Sequence, residues 1–498
     1  MIGIILAAGV GSRLRPMTNN KPKCLVSTAG KAILQYQIDA YVEAGISELV
    51  IIVGYEGKAI RDYCKHIKGV NIQILENNDY ENTNNMYSLY LARSIAKGQE
   101  FILNNADLSI DRSIVKRLLD FPERNAIAVD SSLYNEESMK ISTNIKGYIS
   151  DISKKIPQDT ASACSIDFYK FSAAASEVFF DEITRIIETE GNLKDWTEVA
   201  MQRLFNEERL DFAACDISGL KWVEIDNYDD LALSDRLFSE LDRKLDNIDN
   251  IFLDLDGTVY IGNTVIPGAK EAITFLETTG KNIFYLSNNS SKSKIDYVNR
   301  LNDLGVFTTT EKIILSTDAV ISHLKQEKVE KVHILGTNSL KKTFIDNDFQ
   351  IDSSSPEYVV IGYDTELNYQ KLITACKYIN EGADILATHC DVFCPSEQGP
   401  IPDAGALIEM IRMTTGKAPK KIFGKPNSEM LDSIVLENHF DPARCLVVGD
   451  RLHTDILMAA NSSMLSLLVL SGETTRDQVE HSPTAPDFIL NSLSEVKK

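Results

Sequence analysis

The chain has 498 residues, 44% of them hydrophobic and 25% charged, with 51 basic side chains against 72 acidic ones and a formal net charge of −21. Ordinary globular composition at this length predicts two to four domains, each able to bury a core of its own. The acidic excess, unrelieved by any basic stripe, excludes a nucleic-acid backbone as partner, and no apolar run reaches the roughly 18 residues needed to cross a bilayer.

The start, MIGIILAAG, has no basic region or small-residue cleavage site and runs directly into a Gly-rich turn, so a cytoplasmic protein without a signal peptide is expected. Eight scattered cysteines form no disulfide framework and fit a reducing compartment. The one close pair, Cys390 and Cys394, lacks a second pair or a His cluster and reads as a loop rather than a zinc site.

In chain order, IGIILA (2–7) and ELVIIV (48–53) are short β-branched runs, and QYQIDAYVEAG between them has helical spacing and ends in Gly. That is a βαβ pattern. Further strands are expected near 72 (IQILEN) and at 101–107 (FILNNAD), with MYSLYLARSIAKG as a helix, giving a mostly parallel sheet covered by helices. Residues 232–247, ALSDRLFSELDRKLDN, read as one charged amphipathic helix that connects two halves. The α/β alternation then restarts with strands at 251–255, 283–287 and 445–449. Residues from about 329 to about 418, with VHILG, YVVIGY and NYQKLITACKYINEG, read as an inserted cap. The expected division is a nucleotide-binding α/β domain at 1–237, a connector at 238–248, a second α/β core at 249–328 and 419–498, and the cap at 329–418. No short repeats or low-complexity segments occur.

LAAGVGSRLRP spans 6–16, placing Leu6, Ala7, Ala8, Gly9 and Gly11 in a strand-to-loop turn whose backbone N–H groups can approach a triphosphate. Arg13 follows the turn, and Lys23, in PKCL, puts a second cation within reach of the phosphates. Together LAAGxGxRLxPxT and PKxL resemble the sugar-phosphate and alcohol-phosphate nucleotidylyltransferases, over roughly residues 1–237. The resemblance implies two magnesium-binding aspartates, which match Asp107 in NNADLSI and Asp226 in WVEIDNYDDL. Mg²⁺ takes oxygen ligands, and such a pair suits attack of an acceptor phosphate on the α-phosphate. NDYENTNNMYSLYLA (78–92) resembles the phosphocholine cytidylyltransferase-like branch, which implies CTP and makes Asn84, Asn85 and Ser88 base-site candidates, although Asn-rich text is equally a helix N-cap. EESMK (136–140) falls where that branch builds its acceptor pocket, so Lys140 is expected to hold the acceptor phosphate. The tryptophan usual before that segment is absent, and choline phosphate and a polyol phosphate such as glycerol phosphate both stay open as acceptors.

In IFLDLDGTVYIGN (251–263), Asp254 and Asp256 stand two apart on a strand that enters a loop, and the strand period points both carboxylates to one side. Their mutual repulsion makes a structural role poor unless a cation lies between them. DLDGT, Ser287 in YLSNNSSKS, Lys425 in FGKPN, and Asp450 with Asp455 in VVGDRLHTDI occur in the order that resembles the haloacid dehalogenase superfamily. GYDTELNYQKL, ATHCD and GPIPDAGAL resemble its p-nitrophenylphosphatase and phosphoglycolate phosphatase branch, and the likeness covers about 249–490. This implies Asp254 as nucleophile, Asp256 as acid and base, Ser287, Asn288 and Lys425 as phosphoryl ligands, and Mg²⁺ held by Asp254, Asp256, Asp450 and Asp455. The branch usually carries Asn in the cap's substrate loop, where this chain has His389 two residues before Asp391, and PDAG at 402–405 replaces PGAG. His389 and Asp391 are therefore candidates for touching the substrate.

The expectation is a bifunctional enzyme of α/β architecture, two Rossmann-like domains with a cap in the second. A CTP-dependent cytidylyltransferase, making a CDP-alcohol and pyrophosphate from a phospho-alcohol, is joined to a Mg²⁺-dependent phosphatase or phosphotransferase. The alternatives are a sugar-1-phosphate nucleotidylyltransferase using UTP or dTTP with a sugar-phosphate phosphatase, or one half serving as a sensor or scaffold. Partners are expected to be small molecules, with no nucleic acid and no membrane, and self-association is left open.

Overall fold

A computed structural model describes residues 1–134, 138–351, 353–394 and 399–497. By its internal packing the chain divides into two units, Met1–Phe238 and Ser239–Lys498.

In the first unit, Ile2–Ala7 lies between Glu48–Val53 and Phe101–Asn105, parallel to both, and Asn71–Glu76 extends the parallel half. The period of two splits the central strand between two cores. Ile4 and Leu6 pack on one face with Val50, Ile52 and Leu103, while Ile5 and Ala7 pack on the other with Leu49, Ile51 and Ile102. The helix Ile33–Glu43 covers the second face and stops before Gly45, whose φ of 80° provides the left-handed residue such an end requires. The rest of the nine-stranded sheet is largely antiparallel. Ala163–Phe171 pairs antiparallel with Phe101–Asn105, Ala126–Asp130 and Lys140–Thr143, and Ile149–Ser153 closes that edge.

The second unit holds a six-stranded, wholly parallel sheet in the order Ile313–Leu315, Asn282–Ser287, Asn250–Asp254, Cys445–Gly449, Leu465–Val469, Phe488–Leu490. Asp254 and Ser287 end two adjacent strands, and Asp450 follows a third, so the acidic residues gather at the carboxyl edge of the sheet. A separate four-stranded parallel sheet, Val332–Leu335, Tyr358–Ile361, Asp384–Ala387 and Lys421–Ile422, is built mostly from the segment expected to be the cap. The helix Ser316–Gln326, assigned by sequence to the core, places Val320 and Leu324 in one of the cap's apolar clusters together with Phe423. The cap's packing therefore extends beyond 329–418 on both sides.

The single helix expected over 232–247 is two. Tyr228–Phe238 ends with Phe238 against the Tyr36 ring in the first unit, and Leu241–Leu245 buries Leu241 and Leu245 in the core of the second. The amphipathic stripe is shared between two cores, so the helix breaks where its apolar residues change allegiance. None of the helices among the described residues is long and apolar enough to cross a membrane.

Candidate active sites

The first site starts where Ile2–Ala7 runs out. Gly11 has φ 65°, and a Cβ there would stand 2.7 Å from the Lys23 Cβ, so glycine is needed for both backbone shape and close approach. Nothing stands within 4 Å of a Cβ built on Gly9, which leaves the loop backbone open on that side. Lys23 enters the site from a short 3-10 turn, Lys23–Leu25. Its Nζ donates to Asp107 Oδ2 at 3.0 Å and Asp226 Oδ1 at 2.8 Å, and Arg13 Nη1 lies 3.1 Å from Asp226 Oδ2.

Asp107 and Asp226, far apart in sequence, meet because Leu108–Ile110 pairs antiparallel with Trp222–Glu224 and the Ile225 N–H bonds Asp107 O at 2.9 Å. Burial works to lower the Lys23 ammonium, but the two carboxylates hold it above its ordinary value. Burial likewise pushes Asp226 up, and Lys23 and Arg13 outweigh it, holding the carboxyl below its ordinary value.

Sequence reasoning missed Glu224. Its carboxylate joins those of Asp107 and Asp226 in a cluster whose oxygens lie within 4.8 Å of one another. Burial, then the charges of Asp167, Asp107 and Asp226, push it up to about 8. The signal was present: Glu224 stands two before Asp226 in WVEID. An all-oxygen set with more negative charge than Lys23 can offset fits a hard divalent cation.

Two cavities adjoin this cluster, of about 240 and 380 Å³, and Leu6, Gly9, Arg13, Asp107 and Asp226 line both. Ala7 and Gly11 line the smaller and Ala8 the larger. Asn84, Asn85 and Ser88 also line the larger cavity, but their side chains are already engaged. Asn84 caps the helix Asn85–Tyr90 by accepting the Asn85 N–H at 2.8 Å, Asn85 Oδ1 accepts the Thr197 N–H at 3.0 Å, and Ser88 Oγ accepts from Asn77 at 3.1 Å. Lys140 does not reach the cavity. It is buried in Lys140–Thr143, with Nζ 5.3 Å from the Tyr134 ring centroid. The lysine lining that space, along with Arg13, is Lys154, 5.3 Å from the Trp196 ring centroid. Glu136 and Glu137 of the EESMK segment lie outside the described residues. Asp167 and Glu198 add two more carboxylates, bridged by the Tyr169 hydroxyl at 2.8 Å from each. Burial beside Glu198 pushes Asp167 up to about 7.

The second site is a cavity of about 370 Å³ lined by Asp254, Asp256, Ser287, Asn288, Lys425, Asp450 and Asp455 from the core, and by Asp391 and Asp403 from the cap. Lys425 Nζ, buried, donates to Asp254 Oδ1 and, at 2.7 Å, to Asp455 Oδ1. Asp254, Asp450 and Asp455 form an oxygen cluster within 4.8 Å, which does not include Asp256. Burial pushes Asp254 and Asp450 up, and the neighbouring carboxylates add to the effect. Asp450 Oδ1 is buried with no hydrogen-bond partner among the described residues, an orphaned oxygen beside uncompensated charge, and it fits a divalent cation. Gly257 and Gly472 make room for Asp450: a Cβ on either would approach Oδ2 to 2.4 and 2.0 Å.

Asp256 stands apart from the cluster, its carboxyl raised by burial against the pull of Arg300 and Arg451. Ser287 Oγ bonds the Tyr297 hydroxyl at 2.9 Å. Asn288 braces rather than faces the cavity alone: Nδ2 donates to Asp391 Oδ2 at 3.0 Å and Oδ1 accepts the Lys425 N–H at 2.8 Å. His389 is fully buried and does not line the cavity, so of the two cap candidates only Asp391 does. Its Nε2 lies 2.9 Å from Asp403 Oδ1, so the two positions where the cap text departs from its branch are hydrogen-bonded to each other.

Known proteins align with both units. Residues 2–138 match the nucleotidyl transferase family, 251–350 the haloacid dehalogenase-like hydrolases, and 422–496 a HAD-hydrolase-like family. A 5'-nucleotidase, YutF, of Bacillus subtilis is 30% identical over 244 residues, 49% of this chain and 95% of that protein. A 4-nitrophenylphosphatase of Schizosaccharomyces pombe is 30% identical over 281 residues, 51% of this chain and 94% of that protein. The crystal structure of a 4-nitrophenylphosphatase of Thermotoga maritima aligns with a TM-score of 0.50 at 38% identity, covering 51% of this chain and 98% of that one. With five acidic and basic motif residues converging on one cavity and relatives matched over nearly their full length, the chain belongs through its second unit to the haloacid dehalogenase-like hydrolases, as a 4-nitrophenylphosphatase-like phosphatase fused to a nucleotidyl transferase domain.

Proposed function

We propose that the chain is a bifunctional enzyme in which a CTP-dependent cytidylyltransferase makes a CDP-alcohol and pyrophosphate, and a Mg²⁺-dependent phosphatase hydrolyses a phosphate ester of the same pathway. The observation that carries the first half is the Lys23, Asp107, Glu224, Asp226 cluster beside the open Gly9 loop. An oxygen of the acceptor phosphate attacks the CTP α-phosphorus and the bond to the β-phosphate oxygen breaks, releasing pyrophosphate. Lys23 and Arg13 offset the charge of the departing group, and the loop backbone positions the triphosphate. Asp107, Glu224 and Asp226 would hold Mg²⁺, which supplies charge neutralisation at the α-phosphate. Lys154 takes the place expected of Lys140 in holding the acceptor phosphate. Asp167, Glu198 and the exposed Trp196 ring suit an alcohol rich in hydroxyls or bearing an ammonium, as in glycerol or choline phosphate.

In the second half, Asp254 attacks phosphorus in line while Asp256 gives its proton to the leaving alkoxide, forming an aspartyl-phosphate and the free alcohol. Asp256 then takes a proton from water, which attacks the acyl phosphate and returns Asp254 and inorganic phosphate. Lys425 and Ser287 hold phosphoryl oxygens. Asp254, Asp450 and Asp455 would hold Mg²⁺, which screens the nucleophile from the phosphate charge. Two activities on one phospho-alcohol would compete, so the phosphatase acts on a precursor ester or passes its phosphoryl group to an alcohol.

Separate substitutions test the assignment. Asp254→Asn is expected to lower phosphate release by about a thousand-fold or more while nucleotidyl transfer persists, and Asp107→Ala to do the reverse. Either variant keeping its own activity would overturn that half of the reading.

A further inference from the structure

His389 is fully buried and does not line the cavity, but it is hydrogen-bonded to Asp403, which does. Both ring nitrogens are engaged, Nδ1 with Thr388 Oγ1 and Nε2 with Asp403 Oδ1, each at 2.9 Å. Thr388 Oγ1 continues to Ser290 Oγ at 3.0 Å, so a buried polar chain runs from the cap to the loop that carries Ser287 and Asn288. Gly424 leaves the histidine its space, since a Cβ there would stand 2.5 Å from the His389 Cβ.

Asp403 caps the twelve-residue helix Ala404–Thr415. Its Oδ1 accepts both the Ala404 N–H, at 2.5 Å, and the His389 contact, while Oδ2 accepts from no described residue. Asp403 is one of the residues lining the same cavity as Asp254, Asp256 and Lys425. Distance alone would let His389, Asp391 and Asp403 hold a cation. Both His nitrogens and Asp391 Oδ2 are already hydrogen-bonded, which argues for a polar brace instead.

We propose that Asp403 is the specificity-determining residue of the phosphatase, and that His389 is the positioning residue that holds it. The free Oδ2 receives a hydrogen bond from a hydroxyl or ammonium on the alcohol part of the ester. A second anionic group at that place meets a fixed negative charge and is rejected. The substrate class is a phosphomonoester whose alcohol carries a hydrogen-bond donor and no carboxylate. A site that accepts from such a donor discriminates against an alcohol lacking it, because Asp403 Oδ2 then goes without that hydrogen bond.

This rests on the phosphatase reading, and the experiment separates the two. With the full-length chain and Mg²⁺, kcat and KM are measured for glycerol 3-phosphate, phosphoethanolamine, 2-phosphoglycolate and 4-nitrophenyl phosphate. Asp403→Asn keeps a helix-capping side chain. It is expected to lower kcat/KM for the donor-bearing ester relative to 4-nitrophenyl phosphate by about ten-fold or more, chiefly through KM, and to raise that of 2-phosphoglycolate by about five-fold on the same scale. Whichever of glycerol 3-phosphate and phosphoethanolamine falls further identifies the donor as hydroxyl or ammonium. His389→Ala should raise KM for that ester, and His389→Gln, which retains a donor, should recover part of the loss. Relative values within two-fold of the parent chain in Asp403→Asn, or no gain for 2-phosphoglycolate, would overturn the assignment. No turnover of any ester by the parent chain would instead sink the phosphatase reading, and this proposal with it.

Discussion

Gly472 shows how tightly one residue can constrain the second site. A methyl group there would lie 2.0 Å from Asp450 Oδ2, the oxygen that accepts the Glu473 N–H at 2.6 Å. Gly472→Ala must displace that carboxylate, so kcat/KM for phosphate release is expected to fall by about ten-fold or more and to recover in part as Mg²⁺ is raised. Kinetics titrated with Mg²⁺ check this; unchanged activity would mean Asp450 has room the packing does not show. In the first unit, Asp167 has φ 57°, a conformation Asn adopts as readily, and its carboxyl is raised to about 7. A carboxyl raised on folding favours the folded state fully below its unfolded value, near 4, and that contribution is lost as pH rises through about 7. Asp167→Asn removes the titration, so its thermal midpoint without ligands should exceed the parent's by a few degrees at pH 8 and match it near pH 4. A midpoint difference independent of pH would contradict the assignment. At this scale spacing marked the Gly11 turn and Asp254, but it also put Asp256 among the metal ligands, from which it stands apart, and Glu224, two residues before Asp226, went unread although its spacing was there to see. It could not show that Lys154 rather than Lys140 lines the cavity, because that depends on how two polar strands fall in register. Nor could it show that His389 lies behind Asp403, since sequence does not reveal which side of a loop is buried.

The inner parallel strands Ile2–Ala7, Glu48–Val53, Asn250–Asp254 and Cys445–Gly449 were legible because both faces are buried, which makes them continuous apolar runs, whereas Ile313–Leu315, Leu465–Val469 and Phe488–Leu490 were not picked out. Nor was the antiparallel half. Lys140–Thr143 and Ile149–Ser153 carry polar side chains at an edge and lack that signature. The connector misled for a physical reason: Tyr228–Phe238 and Leu241–Leu245 share one amphipathic stripe but serve different cores. Leu245→Ala should therefore destabilise the second unit by about 2–3 kcal/mol, while Phe238→Ala should act on the first. Calorimetry of the full chain, with each transition assigned by the activity lost, checks the prediction. Both changes moving one transition together would contradict separate cores.

Each unit carries its own sheet, its own apolar clusters and its own acidic site, so each has what a domain needs to act alone. Each unit gathers three carboxylates, Asp107, Glu224 and Asp226 in the first and Asp254, Asp450 and Asp455 in the second, into a set of oxygens that fits a divalent cation. Under the proposed function, what joins the two chemistries is the phospho-alcohol, which the first unit activates and the second unit supplies or spares. The most direct test is ³¹P NMR of the full chain with Mg²⁺, CTP and a pooled panel of phospho-alcohols and related esters. The account predicts a CDP-linked diphosphodiester with pyrophosphate, and inorganic phosphate that disappears in Asp254→Asn while the diester persists. Phosphate with no diester from any member of the panel, or a diester formed faster from UTP or dTTP than from CTP, would contradict it.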